Sequence, residues 1–128
     1  MKEQAYQSRI IKEIEAIGGH VVNGNYTKAG EADLQCGIPV EYCPAGDSHV
    51  PETILVHCAV EVKTQYDYGR VMECVDEDYN IIKTAGLKKH EVLQITKLRM
   101  LRNKGGLALV AYNFKQIMDY VHGRFDTA

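Results

Sequence analysis

The segment Cys58-Ala59-Val60-Glu61-Val62-Lys63 sets a carboxylate and an ammonium two residues apart at the end of an apolar run. Side chains alternate between faces along a strand. Cys58, Val60 and Val62 therefore point one way and Ala59, Glu61 and Lys63 the other. A second stretch repeats the pattern, with Ala32, Leu34 and Cys36 on one side and Asp33 and Gln35 on the other. If the two strands are neighbours, Asp33 and Glu61 converge on one spot with Lys63 beside them. Paired carboxylates are hard oxygen ligands suited to Mg²⁺ or Mn²⁺. Such an ion polarises a phosphodiester and lowers the pKa of a bound water. A neighbouring lysine orients that water or neutralises the charge that develops on phosphorus. An exposed Glu–Lys ion pair on a sheet face would show the same short motif, so the rest of the chain has to decide.

Two further features bear on it. The loop Thr27-Lys28-Ala29-Gly30-Glu31 leads into Asp33, with a glycine just ahead of the acid. Downstream, Gln94, Leu98 and Leu101 recur at i, i+4 and i+7, which sets an amide on the helix stripe expected to face the sheet. A polar group there needs a partner, and Lys63, a carboxylate or a metal-bound water would supply one.

The elements that must position these residues are legible as patterns. Residues 3–17 read as an amphipathic helix on Ile10, Ile14 and Ile17, with Tyr6 and Ile11 widening the stripe and Gly18-Gly19 as its stop. A short strand starts at His20, and Asn23-Gly24-Asn25 is turn chemistry. Strands are expected over 32–36, 53–63 and 107–112, and helices over 88–103 and 114–122, with Gly105-Gly106 ending the first of these. Residues 38–56 and 64–86 read as irregular excursions, the second holding a short helix or an ordered loop. The order predicts an α/β (α+β) fold with a mixed sheet flanked by helices, in a single domain spanning 1–128.

At 128 residues the chain can bury a core without disulfide staples. No run approaches the roughly 18 apolar residues of a membrane span, and the polar start MKEQAYQSR is no secretory signal. A soluble cytoplasmic protein with no membrane partner is expected. Cys36, Cys43, Cys58 and Cys74 have no C-x-x-C spacing and read as reduced structural thiols. The histidines have no metal-ligand spacing. Net charge is −2, yet residues 83–104 carry seven lysines and arginines against one acid, Glu91. A basic patch of this kind binds phosphates even on an acidic protein. Lys88 and Lys89, where the helix opens, suit phosphate oxygens, and such contacts position DNA without reading its sequence.

Taken together, MKEQAYQSRIIKEIEAIGG, VVNGNYTKAGEADLQCG, AVEVKT and Gln94 followed by LRMLRNKGGLALVAY resemble the VRR-Nuc (virus-type replication-repair nuclease) family of PD-(D/E)xK nucleases. The likeness covers most of the chain outside 38–56 and 64–86. It implies a restriction-endonuclease-like core with Asp33, Glu61 and the main-chain carbonyl of Val62 as metal ligands. Lys63 would be the catalytic lysine and Gln94 the helix glutamine that helps to position the site. The family's first-helix glutamate falls on Glu3, with Glu13 and Glu15 as alternatives. Lys28, Lys88 and Lys89 would contact DNA. Two departures stand out. Ala32 occupies the usual proline position before the aspartate, and the spacer from Lys63 to Gln94 is long.

The resemblance implies a Mg²⁺- or Mn²⁺-dependent endonuclease for structured DNA. Small stand-alone members look like Holliday junction resolvases and often come from phages, which would place this chain in the host cytoplasm. A four-way junction has twofold symmetry and needs paired cuts, so a homodimer is expected, with helix 1 and the 64–86 segment as candidate interfaces. A flap, end or duplex nuclease and a non-cleaving DNA-binding protein are the alternatives on the same fold.

Overall fold

The computed structural model describes residues 2–23, 32–42 and 52–125. The elements run α1 (Glu3–Ala16), β1 (His20–Asn23), β2 (Leu34–Tyr42), β3 (Glu52–Val62), α2 (Gln65–Met72), α3 (Lys89–Asn103), β4 (Leu107–Ala111) and α4 (Phe114–Phe125). The four strands form one mixed sheet in the order β1-β2-β3-β4. The first three are antiparallel neighbours and β4 joins β3 in parallel. Helices flank the sheet, as the order of patterns predicts. No described helix is long and apolar enough to cross a membrane.

Both double glycines end helices as expected. At Gly18 and Gly105 the chain takes φ +87° and +88°, a conformation that L side chains rarely adopt. The following glycines then donate back to the helix, Gly19 N–H to Ile14 O and Gly106 N–H to Leu101 O, both at 2.9 Å. Gly19 is doubly constrained, because a Cβ there would sit 2.6 Å from Ile14 Cγ2. This sharp reversal is what lets α1 feed directly into the edge strand β1.

The expected alternation in β2 holds and extends further than predicted. Leu34, Cys36, Ile38 and Val40 are all buried, with half-buried residues between them. The strand expected over 53–63 is present as β3, and residues 38–42, read from sequence as part of an irregular excursion, are instead regular strand paired with its first half, from Ile38↔Val56 out to Tyr42↔Glu52. Gly37 and Pro39 misled the local reading, but long-range pairing with the strong β run of β3 overrides local propensity. Residues 43–51, the rest of that excursion, lie outside the described residues. Ile10, Ile14, Ile117 and Val121 from α1 and α4 join Leu34, Ile38, Val60 and Val62 in one core. Burial is worth about 1.5–3 kcal/mol for each such side chain.

The 64–86 segment is ordered. Thr64 caps α2 by accepting the Asp67 N–H at 3.2 Å. Asp76 then builds a turn, its Oδ1 accepting the N–H groups of Asp78 and Asn80, both at 2.9 Å. Tyr79 at the turn has φ +64°, and its hydroxyl accepts the Val110 N–H at 2.9 Å. Tyr120 Oη does the same for Ala108 N–H and Gln116 Oε1 for Tyr112 N–H. Side chains thus satisfy the donors along the outer edge of β4, which blunts that edge against further strand pairing.

Candidate functional site

The site forms where β2 begins and β3 ends. Leu34 pairs with Val60, so Asp33, one residue earlier, falls beside Glu61. The Val62 N–H donates to Asp33 Oδ2 at 2.9 Å and fixes that carboxylate against the strand. Glu3, in the first turn of α1, completes the group. One carboxylate oxygen from each of Glu3, Asp33 and Glu61 lies within 4.8 Å of the others. This is the convergence expected of the alternating strands. Glu3 occupies the place for which Glu13 and Glu15 were the alternatives. Val62 meets the cluster through its N–H.

The electrostatics of the cluster are those of crowded acids. Glu61 is 1% exposed, and its Oε1 is buried without a hydrogen-bond partner among the described residues. Burial, and then the neighbouring Asp33 carboxyl, push the Glu61 acid far above the ordinary glutamate range. Glu3 is also raised, again chiefly by burial. A buried carboxylate oxygen with nothing to accept from is costly. A divalent cation bound by these oxygens would supply the missing positive charge, so the donor set fits a hard ion. Acidic clusters also occur without metals, and this one establishes only that an ion could be held.

Lys63 extends the β3–β4 ladder through its backbone, its N–H donating to Ala111 O at 3.0 Å. Its side chain points to α3. The ammonium donates to Gln94 Oε1 at 3.3 Å and lies 3.4 Å from Glu91 Oε2. The partner demanded by an amide on α3 is therefore Lys63. The helix phase differs from the sequence reading, however. The buried stripe runs Glu91, Ile95 and Leu98, and Gln94 sits half-buried at its margin. Leu101, expected on the stripe, is 37% exposed.

Glu91 escaped the sequence reading, where it counted only as the lone acid of a basic run. It is 2% exposed. Its Oε1 accepts the Lys88 N–H and Arg70 Nη1, and its Oε2 accepts Arg70 Nη2, each at 2.8 Å. The Arg70 guanidinium holds its carboxyl well down, at about 2. A signal was present, because Glu91 stands at i, i+4 and i+7 with Ile95 and Leu98. An acid on an apolar stripe demands a cation.

The other expected residues are placed less decisively. Lys88 and Lys89 are exposed where α3 begins. Lys28 lies outside the described residues. Arg102, counted with the basic patch, is committed to structure. Its guanidinium lies 3.7 Å from the Tyr79 ring centroid, and Nε donates to Ala108 O at 2.6 Å. Cys36, Cys58 and Cys74 are buried free thiols. Burial pushes Cys36 up to about 12 and Cys58 upward as well, which leaves neither as a nucleophile.

No family model matches the chain, nor does any curated protein or solved structure.

Proposed function

We propose that this chain is a Mg²⁺- or Mn²⁺-dependent endonuclease with a PD-(D/E)xK core of the VRR-Nuc type, cutting structured DNA. The observation that carries the reading is the buried Glu61 oxygen beside Asp33 and Glu3, unpartnered among the described residues, with Lys63 fixed two residues away. Structural ion pairs end in acids matched by cations, whereas this cluster crowds three carboxyls together and leaves its buried member pushed toward the protonated form until a cation is supplied. Glu3, Asp33 and Glu61 would hold the ion. When bound, it would polarise the scissile phosphate and lower the pKa of the attacking water.

The chain's own groups do the rest. A lysine ammonium has three donors. Gln94 and Glu91 take two from Lys63, which leaves one N–H for a phosphate oxygen or the attacking water. The Val62 N–H keeps Asp33 turned toward the cluster. Exposed Lys88 and Lys89 would track the DNA backbone. Two symmetric cuts at a four-way junction require two such sites, hence a homodimer, and four-way junctions are the substrate this reading favours.

The test is cleavage of end-labelled DNA with Mg²⁺ or Mn²⁺, comparing a four-way junction, a 5′ flap and a linear duplex. Paired cuts in the junction, abolished by chelation, are expected. Preferential cutting of the flap or duplex would move the protein to the other nuclease class. Binding without cutting under any of these metals would make it a DNA-binding protein.

A further inference from the structure

Resting on the nuclease reading, we propose that Glu91 is a positioning residue for Lys63, and that Arg70 of α2 locks Glu91 in place so that the ammonium is held off Glu61. Three carboxyl groups feel the charge of the Lys63 side chain. Glu61 and Glu3 both feel its charge, and Glu91 Oε2 is 3.4 Å from Nζ. A lysine head on a flexible four-carbon stem can turn to any desolvated acid in its reach. Glu61, two residues away, is buried, yet its Oε1 has no partner among the described residues. The ammonium instead turns to α3, where Glu91 and Gln94 receive it.

Glu91 can do this because it cannot itself move. Both its oxygens are engaged by the Arg70 fork, and Oε1 also by the Lys88 N–H that opens α3. Arg70 is braced in turn by Gly86 O at 2.7 Å and by Asp67 Oδ1 at 3.2 Å. Asp67 donates its N–H to the Thr64 cap. A continuous polar chain thus runs from Thr64, the residue after Lys63, through α2 and back to the Lys63 head. This gives the 64–86 segment a role at the site: it sets where the lysine points. The consequence is chemical. Held by Glu91, Lys63 leaves Glu61 Oε1 free for a cation. Released, it would pair with Glu61 and compete with that cation.

The experiment measures Mn²⁺ binding by calorimetry, alongside single-turnover cleavage, in the wild type, Glu91→Gln, Lys63→Ala and the double variant. Glu91→Gln should weaken Mn²⁺ binding about tenfold and slow cleavage at least tenfold. Adding Lys63→Ala to Glu91→Gln should restore Mn²⁺ binding to the Lys63→Ala level, because the competing ammonium is gone. A purely structural Glu91 would leave the double variant as weak as the single one, and that result would overturn the proposal. A side-chain NMR measurement on the metal-free wild type covers the case in which Glu91→Gln fails to fold. The Lys63 Cε methylene should be as ordered as the backbone, and a freely mobile one would sink the proposal. The arms separate the two readings. A wild type that neither cuts nor binds Mn²⁺, with Lys63 ordered, refutes the nuclease and leaves the anchoring standing. A wild type that cuts, with Lys63 mobile, does the reverse.

Discussion

Glu61 and Glu91 lie at the same depth, 1% and 2% exposed, one on the strand that leads into Lys63 and one on the helix that Lys63 reaches, and their surroundings drive them in opposite directions. Glu91 on the helix side has four contacts from cationic or N–H donors and stays ionised down to about 2. Glu61 on the strand side has acids for neighbours and one oxygen with no partner among the described residues, and it is pushed upward. Burial alone therefore says little about a carboxylate, since the partners decide whether it is a structural anchor or an unfilled ligand. In this molecule the fold supplies cationic partners to one acid and sets the other among acids, with its carboxyl pushed upward.

That contrast can be broken from either side. The largest effect should come from Lys63, which pairs with Glu91 and whose charge Glu61 feels. Lys63→Ala should lower the cleavage rate about 10³-fold, the scale of losing a preorganised charge at a reacting phosphate. DNA affinity should change little, as a binding titration would show. Next is the helix side. Arg70→Ala strands a buried carboxylate, and unfolding in urea should show a loss of about 3 kcal/mol near neutral pH. The sign with pH follows from the direction of the Glu91 shift. A depressed carboxylate stabilises the fold above its unfolded pKa, 4.5, and that contribution disappears as pH falls through about 2. The difference between Arg70→Ala and the wild type should therefore shrink in acid.

The strand side should give the smallest effect, with the opposite sign. The Glu61 acid is raised on folding, so its contribution is fully present below the unfolded value of 4.5 and is lost as pH climbs toward the raised value. Metal-free Glu61→Gln should then be the more stable protein at about pH 8, by on the order of 2 kcal/mol. The advantage should vanish near pH 4. A Glu61→Gln variant that is less stable than the wild type at alkaline pH would show that Glu61 has a cationic partner after all, and the contrast with Glu91 would collapse.

Much of this arrangement was legible in the chain itself. The period-two runs around Asp33 and Glu61 place both acids on one sheet face whatever the wider topology, so their convergence needed only that the strands be neighbours. Gly18-Gly19 and Gly105-Gly106 marked their helix ends because no other residue takes those backbone angles cheaply. Other features depended on distant partners. Gly37 and Pro39 look like loop residues until β3 pairs with them. Arg70 sits in a polar stretch of weak periodicity, and nothing local says that its fork will meet an acid 21 residues later. The Gln94 stripe was placed one step out of phase, since Leu98 belongs to both candidate stripes and only the tertiary fold separates Glu91-Ile95-Leu98 from Gln94-Leu98-Leu101.

The proposed activity depends most directly on whether Glu61 completes a cation site. Titrating the metal-free protein with Mn²⁺, followed by electron paramagnetic resonance, should show specific binding in the wild type that is lost in Glu61→Gln and in Asp33→Asn. Binding that is absent from the wild type, or that survives both substitutions unchanged, would contradict it.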